Sequence, residues 1–315
     1  MNEKNQEIIA EIKKAVVGKD DIIAKVLMAI LAGGHILLED VPGVGKTTMA
    51  LAFSKTLGLD YKRIQFTSDT MPSDIIGFSI FNKATGGLEY QKGAVMTNLL
   101  LADEINRTSS KTQAALLEVM EEKQVTVDGM TYPLPTPFVV LATQNPSGSA
   151  GTQMLPSSQL DRFMIRLHMG YPDFASHVNI LKDRRTENPL DKIVPVLTVP
   201  QLMQLQKQTN EVHIADAVYE YVTRLAEATR SHHWVELGLS PRGALAVCRM
   251  AKARAFVSGE DYVRPQDIKA VFGDVCAHRL MLSRKARISG VGAMQVIADI
   301  LQSVPMPDIT PREGL

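Results

Sequence analysis

A chain of 315 residues has room for two packed units, since single hydrophobic cores usually stop growing at about 250 to 300 residues. Apolar residues at 45% and charged residues at 22% fit a globular protein and exclude a disordered or fibrous one. Lysine plus arginine equals aspartate plus glutamate at 34 each, so no global field draws the chain onto nucleic acid or anionic lipid, and only a local basic patch could do so.

The opening Met1-Asn2-Glu3-Lys4 lacks the basic-then-apolar pattern of a secretion signal. The longest apolar stretches, such as Val26 to Ala32, fall far below the roughly 18 residues of a membrane-spanning helix. A cytoplasmic protein is expected. Over the first two thirds, short apolar runs alternate with amphipathic helices, which predicts an α/β unit around a mostly parallel sheet. Five strands are expected, at His35 to Glu39, Arg63 to Thr67, Leu99 to Asp103, Phe138 to Thr143 and Phe163 to Met169. Helices from Lys46 to Gly58 and from Ser110 through Leu116, Leu117 and Met120 would connect them.

Two segments break this alternation and read as hairpins. Phe78 to Phe81 and Leu88 to Tyr90 flank Gly86-Gly87, and Gln124 to Val127 and Met130 to Leu134 flank Asp128-Gly129. Inserted hairpins on a rigid sheet are suited to engaging partners, although a packing role fits each equally well. Pro172, Pro189, Pro195 and Pro200 then mark a boundary, placed between residues 185 and 186. Beyond it the pattern becomes wholly helical, with helices from Pro200 to Val212, Ala215 to Arg230, Pro241 to Val257, Pro265 to Arg279 and Ala293 to Ser303. Cys248 and Cys276 sit in apolar helical contexts and are expected as buried thiols, and His232-His233-Trp234 as a loop or helix end.

The chemistry begins directly after the first strand. Val41-Pro42-Gly43-Val44-Gly45-Lys46-Thr47-Thr48 opens a helix and reads as a phosphate-binding loop. Its glycines let backbone N–H groups curl round a phosphate, and the helix N-terminus adds partial positive charge. Lys46 would reach the β- and γ-phosphates, and the Thr47 hydroxyl would take one place on magnesium. The usual pattern has a glycine where this chain has Asp40, which weakens the signal; a Gly-rich turn alone, however, leaves Gly-Lys-Thr at a helix start unexplained.

Leu99-Leu100-Leu101-Ala102-Asp103-Glu104 places two acids at a strand end, Asp103 to hold magnesium and Glu104 to orient and deprotonate the attacking water. Asn145, at the tip of the next strand before Pro146, would sit beside the γ-phosphate; by itself it reads as a turn. Arg162 lies at the start of the fifth strand, the opposite end of the sheet from the phosphate loop. It reads either as an arginine aimed at a neighbouring subunit's γ-phosphate or as a structural pair with Asp161 or another carboxylate. Arg242, in the first turn of a lid helix, could contact phosphate as the lid moves or simply begin the helix.

Together these segments resemble the MoxR family of AAA+ ATPases. The resemblance spans nearly the whole chain and rests on Val17-Gly18, LLEDVPGVGKT, DIIGFSIF, LLLADEINR, LLEVMEE, ATQNP, QLDRF and LSPRG. It implies an AAA+ domain with a five-stranded parallel sheet and a smaller all-α lid, and tolerates Asp40. It further implies Walker A at Lys46 and Thr47, Walker B at Asp103 and Glu104, and sensor one at Asn145. Arg162 would be the arginine finger and Arg242 sensor two, with Val17 and Gly18 near adenine. Similar proteins form hexamers with nucleotide between subunits and act as chaperone-like factors on partners, some with von Willebrand A domains. Two other readings fit the loop: a module gated by ATP with negligible hydrolysis, against which Glu104 argues, and a nucleic-acid motor, which the balanced charge and 5% aromatics support poorly.

Overall fold

The computed structural model describes residues 3–39, 43–145, 155–183 and 188–308. Helices α1 (Glu3–Lys13) and α2 (Asp20–Leu31) come first, and α2 opens on Asp20 and Asp21, whose charges suit a helix N-terminus. The chain then enters β1 (Ile36–Glu39), α3 (Lys46–Thr56), β2 (Tyr61–Gln65) and the short α4 (Pro72–Ile76), started by Pro72 and by Asp74 accepting the Met71 N–H. A hairpin of β3 (Gly77–Asn82) and β4 (Gly87–Lys92) precedes β5 (Leu99–Asp103) and α5 (Ser110–Glu122). A second hairpin, β6 (Gln124–Val127) and β7 (Met130–Pro133), turns at Asp128-Gly129, both with positive φ. Then follow β8 (Val139–Gln144), α6 (Ser157–Leu160), β9 (Ile165–Leu167) and α7 (Phe174–Asp183).

Strands β2, β5, β8, β1 and β9 pair in that order into one parallel five-stranded sheet. Its central strands β5 and β8 are apolar on both faces, as a sheet covered on both sides requires. Because every strand runs the same way, Glu39, Asp103 and Gln144 share one end, and His35, Asn98 and the approach to β9 share the other. At about 3.3 Å per residue a six-residue strand separates these ends by roughly 20 Å.

The remaining chain forms α8 (Val199–Glu211), α9 (Asp216–Ser231), β10 (Val235–Leu237), α10 (Pro241–Ser258), α11 (Pro265–Cys276), β11 (Met281–Leu282), α12 (Arg284–Ile288) and α13 (Ala293–Ser303). This helical part does not stand apart. α8 and α10 pack against α2, Gln206 donates to the Ile30 carbonyl at 2.7 Å, and Lys25 joins Asp21 to Asp274 of α11 at 2.9 Å each. One apolar core runs from Leu31 and Ile36 to Val247 and Met250. The lid therefore seats on α2, against the end of the sheet where the strands begin.

Several expectations need amendment. The lid is helical but carries a two-stranded antiparallel pair, β10 with β11, too short to leave a periodic signal. The fifth strand is only Ile165–Leu167: at its start the Phe163 and Met164 carbonyls receive hydrogen bonds from Arg279 of the lid, and past its end the Met169 carbonyl is taken by Lys19. The second strand starts at Tyr61, two residues early, and Thr67 instead bonds Thr70 in a turn. Cys276 is buried, whereas Cys248 is half-buried. His232 caps the end of α9, and its ring stacks on His233 at 4.8 Å. The division between residues 185 and 186 falls outside the described residues. No helix among the described residues is long and apolar enough to cross a membrane.

His35 locks α5 to the sheet. Its Nδ1 accepts the Val140 N–H at 3.0 Å and its Nε2 faces the Met120 carbonyl at 3.1 Å, an arrangement that needs a neutral ring. Burial, the largest influence, together with the Lys123 charge outweighs that carbonyl bond and pushes its pKa down to about 4. The unfolded value is about 6.5, so between the two the unfolded chain binds more protons and stability rises with pH. The contribution should be complete above about pH 6.5 and lost as pH falls to about 4, roughly 3 kcal/mol in all. Urea unfolding of His35→Gln should show a flatter pH profile than the wild type across this window. An unchanged slope would transfer the effect to another group, such as buried His278, whose pKa burial also lowers.

Candidate active site

Residues 40–42, including the expected phosphate-loop residue Pro42, lie outside the described residues. From Gly43 on the loop is in place. Gly43 and Gly45 have φ of 86° and 98°, a left-handed backbone that side chains disfavour, and Gly45 caps α3 so that its first N–H groups face the loop. Lys46 follows, largely buried, with Thr47 and Thr48 half-buried beside it. Val44, Gly45 and Thr48 line a small cleft with Val16, Val17 and Pro172. Gly18 turns the chain at its edge with φ of 70°, and a Cβ there would lie 2.2 Å from Ser176 Oγ, so α7 packs where only glycine fits.

The register of β5 and β8, with Ala102 opposite Ala142, sets Asp103 beside Thr143. The Thr143 hydroxyl donates to Asp103 Oδ1 at 2.6 Å and accepts the Glu104 N–H at 2.8 Å. Arg63 on the flanking β2 reaches Asp103 Oδ2 at 2.7 Å. Glu104 has φ of 58°, which turns the chain off the strand. Its carboxylate accepts from Asn145 Nδ2 at 3.1 Å and Arg107 Nη1 at 2.9 Å. Asn106 holds Asn145 in turn, donating to its carbonyl at 3.1 Å. Asn145 Oδ1 is buried with no hydrogen-bond partner among the described residues. Thr47 and Asp103 offer the hard oxygens magnesium prefers, and each Asp103 oxygen keeps a second lone pair beyond its present bond. Among the described residues no cluster of three His, Cys, Asp or Glu could cage a metal.

Arg162 and Arg242 lie at the other end of the sheet. Arg162 Nε donates to Glu121 Oε2 at 2.9 Å and Arg242 Nη2 to Glu121 Oε1 at 2.8 Å. Glu121 lies in the last turn of α5 next to Met120, whose carbonyl meets His35 at the start of β1, so all three stand roughly a strand length from the phosphate loop. Partial burial alone would raise the Glu121 pKa, but the hydrogen bonds and charges of the two arginines outweigh it and hold the carboxyl below its ordinary value. Around this carboxylate, Arg162, Arg242, Arg249 and Lys123 line a cavity of about 260 Å³. Arg162 pairs with Glu121 rather than Asp161, and Arg242 accompanies it instead of facing the phosphate loop of its own chain.

A parallel sheet carrying a glycine-rich loop and paired acids at its strand ends, with a helical lid, defines an AAA-type nucleotide hydrolase architecture. Residues 35–165 match the model for the ATPase family associated with various cellular activities (AAA), and residues 227–300 that for the AAA lid domain. The chain is 46% identical over 95% of its length to the uncharacterised protein YeaC of Bacillus subtilis, covering 93% of it. It is 38% identical over 98% of its length to Chaperone MoxR1 of Mycobacterium tuberculosis, covering 84% of it, and 31% identical over 94% to Protein MoxR of Methylorubrum extorquens, covering 93%. The crystal structure of a Cytophaga hutchinsonii protein, provisionally described as an ATPase, superposes with a TM-score of 0.89 at 39% identity, covering 97% of this chain and 96% of that one. The chain belongs to the MoxR family of AAA+ ATPases.

The structure thus brings together Gly43 to Thr48 with Val17, and Asp103 with Glu104 and Asn145, while it places Arg162 and Arg242 elsewhere. Sequence reading passed over Arg107, three residues from its partner Glu104, and Thr143, Arg63 and Glu121, whose partners are distant along the chain. Thr143 had one usable signal, the first polar residue after the apolar run Val139 to Ala142. Replacing it by Val keeps the shape but leaves the buried Glu104 N–H and Asp103 Oδ1 without their partner, at about 1–3 kcal/mol. Thermal unfolding of Thr143→Val should show a midpoint lower by several degrees; an unchanged midpoint would mean the hydroxyl holds neither group.

Proposed function

We propose that this chain binds ATP with magnesium and hydrolyses it at sites completed between the subunits of a ring, hexameric as in similar proteins. The cycle would remodel or activate partner proteins in the cytoplasm. The observation that carries this reading is the separation of Arg162 and Arg242 from the phosphate loop of their own chain. Two arginines sharing one carboxylate roughly 20 Å from that loop cannot serve the nucleotide bound there, yet they suit a triphosphate presented by a neighbour.

On this reading the α3 N-terminus and Lys46 hold the β- and γ-phosphates, and Val17 and Gly18 border the base. Thr47 and Asp103 would hold magnesium, which neutralises phosphate charge. Glu104 takes a proton from the attacking water, with Asn145 placing both. Arg162 and Arg242 of the next subunit meet the charge that develops as ADP departs. The first hairpin supports a client-facing role, since Phe78, Phe81 and Leu88 are 50%, 63% and 67% exposed. Tyr90 stacks on Tyr132 of the second hairpin at 4.2 Å, so the two would move together. Partners with von Willebrand A domains are the client class the family suggests. The α/β part would end near residue 185.

Lys46→Ala should lose binding before chemistry. ATP should no longer raise its melting temperature, as linkage requires when a ligand binds only the folded state. A normal ATP-induced rise would remove Lys46 from the role.

Glu104→Gln should still bind ATP and assemble but turn over at least about a hundredfold more slowly. Arg162→Ala should be inactive for the other reason, with turnover lower by roughly a thousandfold. Mixed rings would contain interfaces with Glu104 from one subunit and Arg162 from the next, so combining the two inactive proteins should restore measurable hydrolysis once subunit exchange is established. Wild-type turnover by assembled Arg162→Ala rings would defeat the shared-site reading.

A further inference from the structure

Beside half-buried Arg162 and exposed Arg242 lies a third arginine that is almost wholly buried. Arg279 follows α11, and its side chain is 3% exposed. Its Nε donates to Asp161 Oδ1 at 2.7 Å. Its Nη2 donates to the Asp161 and Phe163 carbonyls at 3.1 and 2.7 Å, and its Nη1 to the Met164 carbonyl at 3.1 Å and to the Val275 carbonyl of α11. The guanidinium therefore grips the backbone on both sides of Arg162 while closing the end of a lid helix.

Asp161 extends the grip to the turn that carries Arg242. Its Oδ2 lies 3.3 Å from the hydroxyl of Ser240, the residue that caps α10 by accepting the Gly243 N–H at 3.1 Å. Arg242 sits in that first turn. A Cβ on Gly243 would come 3.0 Å from Arg279 Cδ and 2.4 Å from Leu239 Cδ1, so the turn rests on the arginine stem and a larger residue would displace Leu239. Stability alone is a poor reason for a charge here, because buried ion pairs often gain nothing over well-packed apolar side chains. A planar fork with five fixed donors does supply direction, which apolar packing does not.

We propose that Arg279 is a positioning residue: with Asp161 it fixes the approach to β9 and the first turn of α10 in one relation, so that Arg162 and Arg242 are presented as a pair to a neighbouring subunit's nucleotide. This rests on the shared-site reading above. It also predicts which side of the subunit fails when the clasp is loosened.

Arg279→Lys keeps the charge but loses the fork. Its turnover should fall roughly ten- to a hundredfold, the scale of a small misplacement, while the ATP-induced rise in melting temperature and KM stay near wild type. Its nucleotide side remains sound, so mixing with Glu104→Gln should raise hydrolysis per Arg279→Lys subunit several-fold. Mixing with Arg162→Ala, which is deficient on the same side, should give no gain over the proteins assayed apart. Asp161→Asn should repeat this pattern if Arg279→Lys folds poorly. Wild-type turnover by both variants overturns the proposal. So does a failure of Glu104→Gln to rescue them where it does rescue Arg162→Ala, since the defect would then lie on their own nucleotide side. Failure of Glu104→Gln to rescue Arg162→Ala as well would instead sink the shared-site reading, and the clasp's role with it.

Discussion

The register between β5 and β8 is the constraint on which the chemistry at the strand ends depends. Ala102 opposite Ala142 makes Asp103 and Thr143 neighbours, and the Thr143 hydroxyl then ties the carboxylate of one acid to the backbone of the next. A slip of one residue would turn every side chain of the strand to the other face and separate these groups. That slip is opposed by a large penalty, because both strands are buried on both faces between packed helices. The same apolar packing that stabilises the sheet therefore sets the spacing of its polar ends, and the left-handed turn at Glu104 adds the final change of direction that brings its carboxylate to Asn145 and Arg107.

Parallel pairing has a second consequence. It sends every strand end with an acid to one side and leaves the other side to whatever seats there, which in this chain is the lid. Lys25 between Asp21 and Asp274, and Gln206 on the Ile30 carbonyl, hold the lid on α2, and the continuous apolar core beneath them makes this a packed junction. Arg242 is carried with the lid to Arg162 and Glu121. On the proposed reading, the geometry of a shared site would follow from lid docking as much as from the sheet.

Much of this was legible in the sequence because the informative patterns are local. A glycine-rich loop opening a helix, acids ending an apolar run, and Asp128-Gly129 between alternating strands each specify backbone within a few residues, and α13 was bounded at Ala293 and Ser303 for the same reason. Edges were less legible where long-range partners decide them. β9 starts just after carbonyls taken by Arg279, more than a hundred residues later in the chain, and β2 begins in polar residues that only an edge strand tolerates. The partners of the site, Thr143 for Asp103, Asn106 for Asn145 and Glu121 for both arginines, left almost no trace, since side chains roughly 40 to 120 residues apart have no periodicity to betray them. Placement of the lid was invisible for that reason too, and with it the side on which Arg242 would lie.

The two sets of ion pairs at the far end of the sheet differ in a way that suits a site which must open to a ligand. The Glu121 pairs are between solvent-accessible groups, with Arg162 at 27%, Arg242 at 46% and Glu121 at 38% exposed. Such pairs contribute about 0–1 kcal/mol each, because water and salt compete for the same charges. Exchanging Glu121 for a phosphate would thus lose little and gain a more highly charged partner. The Arg279 clasp differs in its cation: that guanidinium is 3% exposed, while Asp161 keeps 23%. Removing Asp161 would leave a buried charge without its counter-ion, and the cost of breaking a fully buried pair, about 3–5 kcal/mol, is the upper bound. On the proposed reading, arginine tips free to change partners are mounted on a backbone that is not free to move, and the burial of neighbouring charges, rather than their number, separates the two behaviours.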